Sequence, residues 1–261
     1  MNTMLSESEQ KELQLARHLL ENPGLAARIT NVIGMPLEKG IERLPKNWGA
    51  QIGKITRAAL LKASGAAIFT LKDVPGKASS NKWHKLGAAA TGGVSGFFGM
   101  AALAIELPVT TTIMLRSIAE IARSQGESIS DHETKLACLE VFALGGNKRS
   151  DDATGSGYYA VRALLARSIS EAAEFVVERG LAEKGAPVLV RLIAVISQRF
   201  GIQITEKAAA QAIPAIGAAG GALINTIFMD HFQDMAKGHF IVRKLERKYG
   251  KDHIEKLYGK L

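Results

Sequence analysis

Two long segments of this chain contain no charged residue, and they constrain its fold more than any other feature of the sequence. Residues 86–105 (LGAAATGGVSGFFGMAALAI) and residues 208–229 (AAAQAIPAIGAAGGALINTIFM) are both rich in Gly and Ala. A helix of about 20 residues can cross the hydrocarbon core of a bilayer. Each segment also carries two glycines four positions apart, a spacing that lets two helix backbones approach closely. These pairs are Gly92/Gly96 and Gly217/Gly221.

Large apolar side chains are sparse in both segments, which favours burial in protein over insertion into lipid. Each segment holds only seven of them, and Gly and Ala favour membrane insertion weakly compared with Leu or Ile. We therefore interpret the segments as two glycine-rich helices that pack closely in a core. Reversible insertion of a helical hairpin and permanent transmembrane spans are the alternatives.

Apolar residues elsewhere recur with the period of an α-helix, and no convincing strand alternation occurs. With 47% hydrophobic residues, the chain can bury a full core. We predict an all-α multi-helix bundle with the two charge-free helices at its centre. Two amphipathic helices are marked by Leu13, Ala16 and Leu20 and by Trp48, Ile52, Ile55 and Ala59, the latter opposite Lys54 and Arg57. Further helices are predicted at about 158–182, 186–200, 205–213 and 215–236, followed by a basic helix or helix pair over 238–259 that breaks near Gly250.

The net charge of +8 is concentrated in two segments. Residues 35–85 contain ten Lys and Arg against three acids, and residues 237–261 contain eight against three. We divide the chain into an N-terminal helical region (1–34), a basic helical segment (35–85) and a helical core with a basic C-terminal helix (86–261), which together form one compact domain. The basic segments are interpreted either as solvated surfaces or as a docking face for phosphates or lipid headgroups.

The C-terminal helix is the more amphipathic of the basic segments. Its two opposite arcs are an apolar one, Ile241, Val242, Leu245 and Tyr249, and a basic one, Arg243, Lys244, Arg247, Lys248 and Lys251. Such a helix suits an anionic membrane surface; the alternative is a helix packed on the core with a solvated basic face. We do not expect nucleic acid as a partner, since the sequence contains no recognisable binding module and only 6% of its residues are aromatic.

A lipid-like ligand between the glycine-rich helices is the second membrane-related hypothesis. The candidate lining residues are Glu106, Arg116, Phe97, Phe98, Ile113 and Asn225. A buried charge needs a partner, so a Glu106–Arg116 pair inside the bundle would mark a polar pocket. Alternatively, Arg116 belongs to a local salt-bridge stripe with Glu120 and Arg123 on one helix face.

Enzymatic chemistry has weaker support. His231, Asp234 and His239 have offsets that would let a helix offer His and carboxylate ligands to a metal, as in a metal-dependent hydrolase. No HExxH signature, nucleophile elbow or phosphate loop accompanies them, and capping and surface histidines are the alternative interpretation. Cys138 lies in an apolar helical register, which is typical of a buried inert thiol. We expect a non-enzymatic protein without a cofactor.

Several separated motifs resemble the EcsC family of bacterial proteins. They are the Gly/Ala run leading into Glu106-Leu107-Pro108, LRSIAEIA (115–122), CLEVFALGG (138–146), IPAIGAAGG (213–221) with Asn225, and Asp230-His231-Phe232-Gln233 with Gly238-His239-Phe240. The resemblance covers about residues 45–250 and implies a helical fold. The family is named for a gene beside an ABC transporter operon, which suggests a membrane-protein partner. It implies no catalytic residues, because no activity is established for it.

The first residues, MNTMLSESEQKELQ, lack the basic and apolar regions of a signal peptide. We therefore expect a cytoplasmic protein that associates peripherally with the inner face of the cell membrane. Its expected partner is an anionic membrane surface or a lipid-like ligand.

Overall fold

The part of the chain that the structure describes is helical and contains no strand. A computed structural model describes residues 4–21, 24–66, 99–146, 157–179, 187–213 and 217–261. The α-helices in these ranges are α1 (Glu7–Glu21), α2 (Leu25–Ile33), α3 (Glu38–Ile41), α4 (Trp48–Ala66), α5 (Gly99–Ser124), α6 (His132–Glu140), α7 (Gly157–Arg179), α8 (Pro187–Gln211), α9 (Gly217–Tyr249) and α10 (Lys251–Lys260). The all-α prediction is confirmed. The three-part division of the chain stays a prediction.

Three long helices, α5, α8 and α9, form the centre of the packing. α4 lies against α5 and α8, and α9 lies against α1, α5 and α8. A cluster of aromatic rings joins α8 to α9 and to the 3-10 turn that follows α6. Phe142 of that turn lies 4.8 Å from Phe200, and Phe228 lies 5.1 Å from Phe232, measured between ring centroids. Contacts between aromatic rings at this spacing stabilise a core beyond simple area burial.

The first helix is positioned by a cap and by an apolar face. Ser6 and Glu9 form a capping box, in which the Ser6 backbone N–H donates to Glu9 Oε2 at 3.0 Å and the Glu9 N–H donates to Ser6 Oγ at 3.3 Å. Leu13, Ala16 and Leu20 are buried, as predicted. The helix can approach α9 closely because residue 238 is glycine: a Cβ there would lie 2.7 Å from Leu20 Cγ.

α8 and α9 are longer than predicted. Each was predicted as two helices, but α8 continues through Gly201 to Gln211, and α9 continues through Gly238 to Tyr249. Both glycines are buried at helix contacts, and packing there offsets the intrinsic cost of about 1 kcal/mol for a mid-helix glycine. The predicted break at Gly250 is confirmed, since this residue has a φ of 89°.

The second charge-free segment is not one helix. α8 ends at Gln211 and α9 begins at Gly217, so the segment contains the end of one helix and the start of the next. Ala212 and Ile213 are not helical, in keeping with the sequence, since the residue before a proline disfavours helical geometry and position 214 is proline. Ala209, Ala210, Ile224 and Phe228 are fully or almost fully buried.

Most of the first charge-free segment lies outside the described residues. Its described end, 99–105, forms the first turns of α5, in which Leu103 is buried and Ile105 is 75% exposed. The Gly92/Gly96 pair is among the residues that are not described. Contact between the two glycine-rich segments through their glycines therefore stays a prediction.

One helix in the described ranges, α8, is long and apolar enough to cross a membrane. The mean hydropathy of its most apolar window is 1.4, and 44% of that window is buried inside the protein. Buried core helices of soluble proteins can be equally long and apolar, so this property alone does not indicate a transmembrane helix. α8 also carries Glu206 and Lys207, both of them buried.

Candidate functional site

A buried polar cluster lies where α5, α8 and α9 meet. Lys207 Nζ lies 2.5 Å from Glu106 Oε1, and Asn225 Nδ2 donates a hydrogen bond of 3.0 Å to the same oxygen. The Lys207 ammonium also lies 5.2 Å from the centroid of the Phe228 ring. Burial lowers the pKa of Lys207, an effect that the neighbouring Glu106 carboxylate opposes. The cluster thus joins three central helices through one ion pair and one amide.

The structure brings together two of the six predicted pocket residues, Glu106 and Asn225. Arg116 lies on the exposed side of α5 and pairs with Glu120 at 3.9 Å, as in the salt-bridge alternative. Ile113 is partly buried and packs against the core. Phe97 and Phe98 lie outside the described residues. The partner of Glu106 that sequence reasoning missed is Lys207, the last charged residue before the second charge-free segment.

Glu206, the residue before Lys207 in α8, is a second buried carboxyl whose burial can be tested by pH. The residue is 8% exposed, and burial raises its pKa to about 7 from 4.5. Between pH 4.5 and about 7 the folded protein keeps this proton whereas the unfolded chain releases it. The free energy of unfolding that Glu206 contributes is therefore lost as pH rises through this range to the folded-state pKa of about 7. Between pH 5.5 and 8.5 the loss is about 2 kcal/mol for this one group.

We expect Glu206→Gln to remove that part of the pH dependence. Urea unfolding of wild type and variant at several pH values measures it, and the variant should gain stability relative to wild type as pH rises. The exposed Glu42→Gln change is the matched control. A constant difference between wild type and Glu206→Gln across this pH range would contradict the assignment.

A second buried cluster joins α6, α7 and α9, and no sequence motif predicted it. Tyr158 Oη and His239 Nδ1 are 2.9 Å apart and hydrogen bonded, and His239 Nε2 lies 3.8 Å from Glu140 Oε2. Burial is the main reason that the pKa of Glu140 is raised to about 7 and that of His239 lies well below its usual value. His239 is therefore neutral near pH 7.

Arg162 lies next to this cluster and links Glu246 to its tyrosines. Arg162 donates to both oxygens of Glu246 at 2.6 and 3.0 Å, and the Tyr159 hydroxyl donates to the same carboxylate at 3.1 Å. The guanidinium lies over the rings of Tyr158 and Tyr159, at 5.4 and 5.5 Å from their centroids. A hydrogen-bonded Tyr and His beside a carboxylate could relay a proton, but Tyr158, His239 and Glu140 are all buried. The cluster thus stabilises helix packing and does not form an accessible site.

The three predicted metal ligands are not brought together. Asp234 pairs with Arg28 at 2.7 Å, whereas His239 bonds to Tyr158. His231 is buried beside Gly145, and burial lowers its pKa to about 3. In the ranges that the structure describes, no group of three His, Cys, Asp or Glu side chains could hold a metal ion.

The C-terminal basic helix packs on the core through its apolar arc, rather than leaving that arc free for a membrane. Ile241, Val242 and Leu245 are at most 3% exposed, so this apolar arc contacts protein. Four of the five candidate headgroup-binding residues are in ion pairs. These pairs are Arg243–Glu127 at 3.0 Å, Arg247–Glu127, Lys244–Glu12 at 2.7 Å and Lys248–Glu9 at 2.6 Å. The fifth candidate, Lys251, is exposed at the start of α10.

The described basic residues of segment 35–85 differ from those of the C-terminal helix in that they form no ion pairs with described residues. α4 contains Lys54, Arg57 and Lys62 and no acidic residue. All three are exposed, and none has an ion-pair partner within the described ranges. The residues just before α4 are more mixed: Lys39, Arg43 and Lys46 are also exposed and lack such partners there, but the exposed acids Glu38 and Glu42 lie among them in the sequence. We call Lys54, Arg57 and Lys62 the α4 basic face.

Comparison with known protein families agrees with the resemblance seen in the sequence. The model of the EcsC protein family matches residues 7–245, from the start of α1 to near the end of α9. The match extends further towards the N-terminus than the motifs indicated. Comparisons with curated proteins and with solved structures gave no match.

Proposed function

We propose, for a chain that belongs to the EcsC protein family, a role as a peripheral membrane protein that binds anionic lipid headgroups at the cytoplasmic face of the cell membrane. The observation that carries the proposal is the α4 basic face, whose cations are exposed and have no acidic neighbour on their helix. Positive charge that no acid neutralises attracts anionic headgroups, each Lys or Arg near the surface contributing about 1 kcal/mol.

The α4 basic face is better placed for this role than the C-terminal helix. Arg243, Lys244, Arg247 and Lys248 already pair with acids of α1 and with Glu127. Binding a headgroup there would require these pairs to break or to be shared. Headgroup binding to the α4 basic face would break no ion pair between described residues. The six cations between residues 39 and 62 would contribute about 6 kcal/mol, and repulsion from Glu38 and Glu42 would offset about 2 kcal/mol of this, which leaves a dissociation constant of about 1 mM.

Vesicle co-sedimentation tests the proposal. We expect wild type to bind vesicles of phosphatidylcholine mixed with phosphatidylglycerol at low salt and to lose binding at high salt, because the attraction is screened. The variant Lys54→Ser/Arg57→Ser/Lys62→Ser should bind about 100-fold more weakly. Vesicles of phosphatidylcholine alone should bind neither protein.

A control with the same loss of charge separates the α4 basic face from overall charge. Lys237, Lys256 and Lys260 are exposed lysines of α9 and α10, and changing all three to Ser should weaken binding by less than about threefold. Equal losses in the two triple variants would show that net charge alone acts. Wild type that ignores anionic vesicles at low salt, or that binds duplex DNA more tightly than vesicles, would overturn the proposal.

The other hypotheses have less structural support. A lipid-like ligand between helices would have to displace bonds that Glu106, Lys207 and Asn225 make to one another. Lipid extraction followed by mass spectrometry tests it. A metal-dependent hydrolase would need ligands beyond His231, Asp234 and His239 as they are placed, and elemental analysis of the purified protein tests that. A membrane-protein partner stays a prediction.

A further inference from the structure

One large apolar side chain is exposed on α4 in line with its cations. Leu61 is 40% exposed. It follows Lys54 by seven residues and Arg57 by four, so the three side chains lie along one stripe of the helix. Among the residues of α4 whose exposure the structure describes, the other exposed ones are small or polar, so Leu61 is the large apolar group of that set. These residues are Gly49, Ala50, Gln51, Gly53, Ala58 and Lys62.

We propose that Leu61 inserts below the lipid headgroups and anchors α4 in the interfacial region of the membrane. This inference rests on the proposed function and names the group that would add an apolar contribution to it. Lys54 and Arg57 can direct their charged ends to the phosphates while their aliphatic stems lie beside Leu61. Such a mixed stripe fits a lipid surface, which offers anionic headgroups above an apolar layer.

The helix can approach the membrane without leaving the protein. Its inner face is fixed in the core by Ile52, Thr56, Ala59 and Leu60, each at most 2% exposed. The small outer residues bring the backbone near the headgroup plane, so a leucine side chain reaches beyond it. Binding therefore needs no unfolding of α4, unlike insertion of the buried apolar arc of α9.

The first test is Leu61→Ser with a matched control. Leu164 on α7 is 59% exposed, and Leu164→Ser makes the same chemical change on another helix. We expect Leu61→Ser to weaken binding to phosphatidylcholine–phosphatidylglycerol vesicles about three- to tenfold, because burial of an already half-covered leucine contributes only part of the full transfer energy. The dependence of binding on salt should stay that of wild type. Leu164→Ser should bind as wild type does.

The second test measures insertion directly. Cys138, the only cysteine of the chain, is buried, so a polarity-sensitive fluorophore on Leu61→Cys reports on this position alone. Its emission should shift to shorter wavelength when anionic vesicles are added, and brominated lipids should quench it. The same label on Leu164→Cys should show neither effect.

The outcomes separate this inference from the proposed function. Wild type that fails to bind anionic vesicles overturns both. Wild type that binds, and weakens with the triple change of Lys54, Arg57 and Lys62, supports the α4 basic face. If Leu61→Ser then binds as wild type does and the label at position 61 shows no shift, Leu61 does not insert and the inference is wrong.

Discussion

Replacing Lys207 by methionine is expected to lower the free energy of unfolding by about 3–5 kcal/mol, because removing one partner of a buried ion pair leaves the other charge without its counterion. Methionine has nearly the length of lysine, so little volume is lost. The Glu106 carboxylate, 4% exposed, would lose the ammonium that lies 2.5 Å from it. Urea unfolding at pH 7 measures the change.

A double-mutant cycle shows whether the pair itself is responsible. Glu106→Gln alone should also destabilise the protein, and Glu106→Gln/Lys207→Met should cost clearly less than the sum of the single changes. Replacing a whole buried pair by neutral residues is often tolerated. Lys237→Met, which removes an exposed lysine of α9, is the control and should change stability by less than about 0.5 kcal/mol. A Lys207→Met variant within about 1 kcal/mol of wild type would contradict the expected cost of leaving the Glu106 carboxylate without its counterion.

Amphipathic patterns predicted which side of a helix faces the core. Leu13, Ala16 and Leu20 are buried, and Lys54 and Arg57 are exposed opposite the buried Ile52. These assignments need only the 3.6-residue period, a local property of the sequence. The buried apolar arc of α9 follows from the same rule. Whether that arc contacts protein or lipid is not a local property, and the pattern left both interpretations open.

The buried polar pairs could not be predicted in this way. Lys207 and Glu106 are 101 residues apart, and Tyr158 and His239 are 81 apart. The acids that pair with the C-terminal helix are more distant still, since 239 residues separate Glu9 from Lys248. A helical period shows that a cation lies on a face but does not show which acid another helix brings to it. The weak signal for Lys207 was its position beside a charge-free segment.

The helix ends predicted at Gly201 and near Gly238 were wrong for a related reason. A glycine breaks a helix where a positive φ is required, as at Gly250, but it continues a helix where a neighbouring chain leaves no room for a side chain. Gly238 is of the second kind, because a Cβ there would meet Leu20 and the Ala16 carbonyl oxygen. The residue type alone therefore does not distinguish a glycine that ends a helix, such as Gly250, from one that lets two helices approach, such as Gly238.

Among the glycines that the structure describes, Gly40 of α3 makes the closest such contact, and its substitution is expected to have the second-largest effect. A Cβ at Gly40 would lie 2.0 Å from the Ala209 carbonyl oxygen and 2.6 Å from the Ala209 carbonyl carbon. Both atoms belong to the backbone of α8, so no side chain can rotate away to make room. Gly40→Ala must therefore move α3 away from α8, at a cost of about 2–3 kcal/mol. Ala209 lies two residues after Lys207, so the shift also disturbs the helix that carries the ion pair.

Gly53→Ala is the matched control, with an expected effect of opposite sign. Gly53 lies in the middle of α4, and nothing lies within 4 Å of a Cβ built there. Alanine is about 0.5–1 kcal/mol more favourable than glycine at an open helix position, so this variant should be more stable than wild type. Thermal and urea unfolding of the two variants give the signs directly. Equal changes in both would contradict a close approach of α3 to α8, because the clash with the Ala209 backbone is what makes Gly40→Ala destabilising.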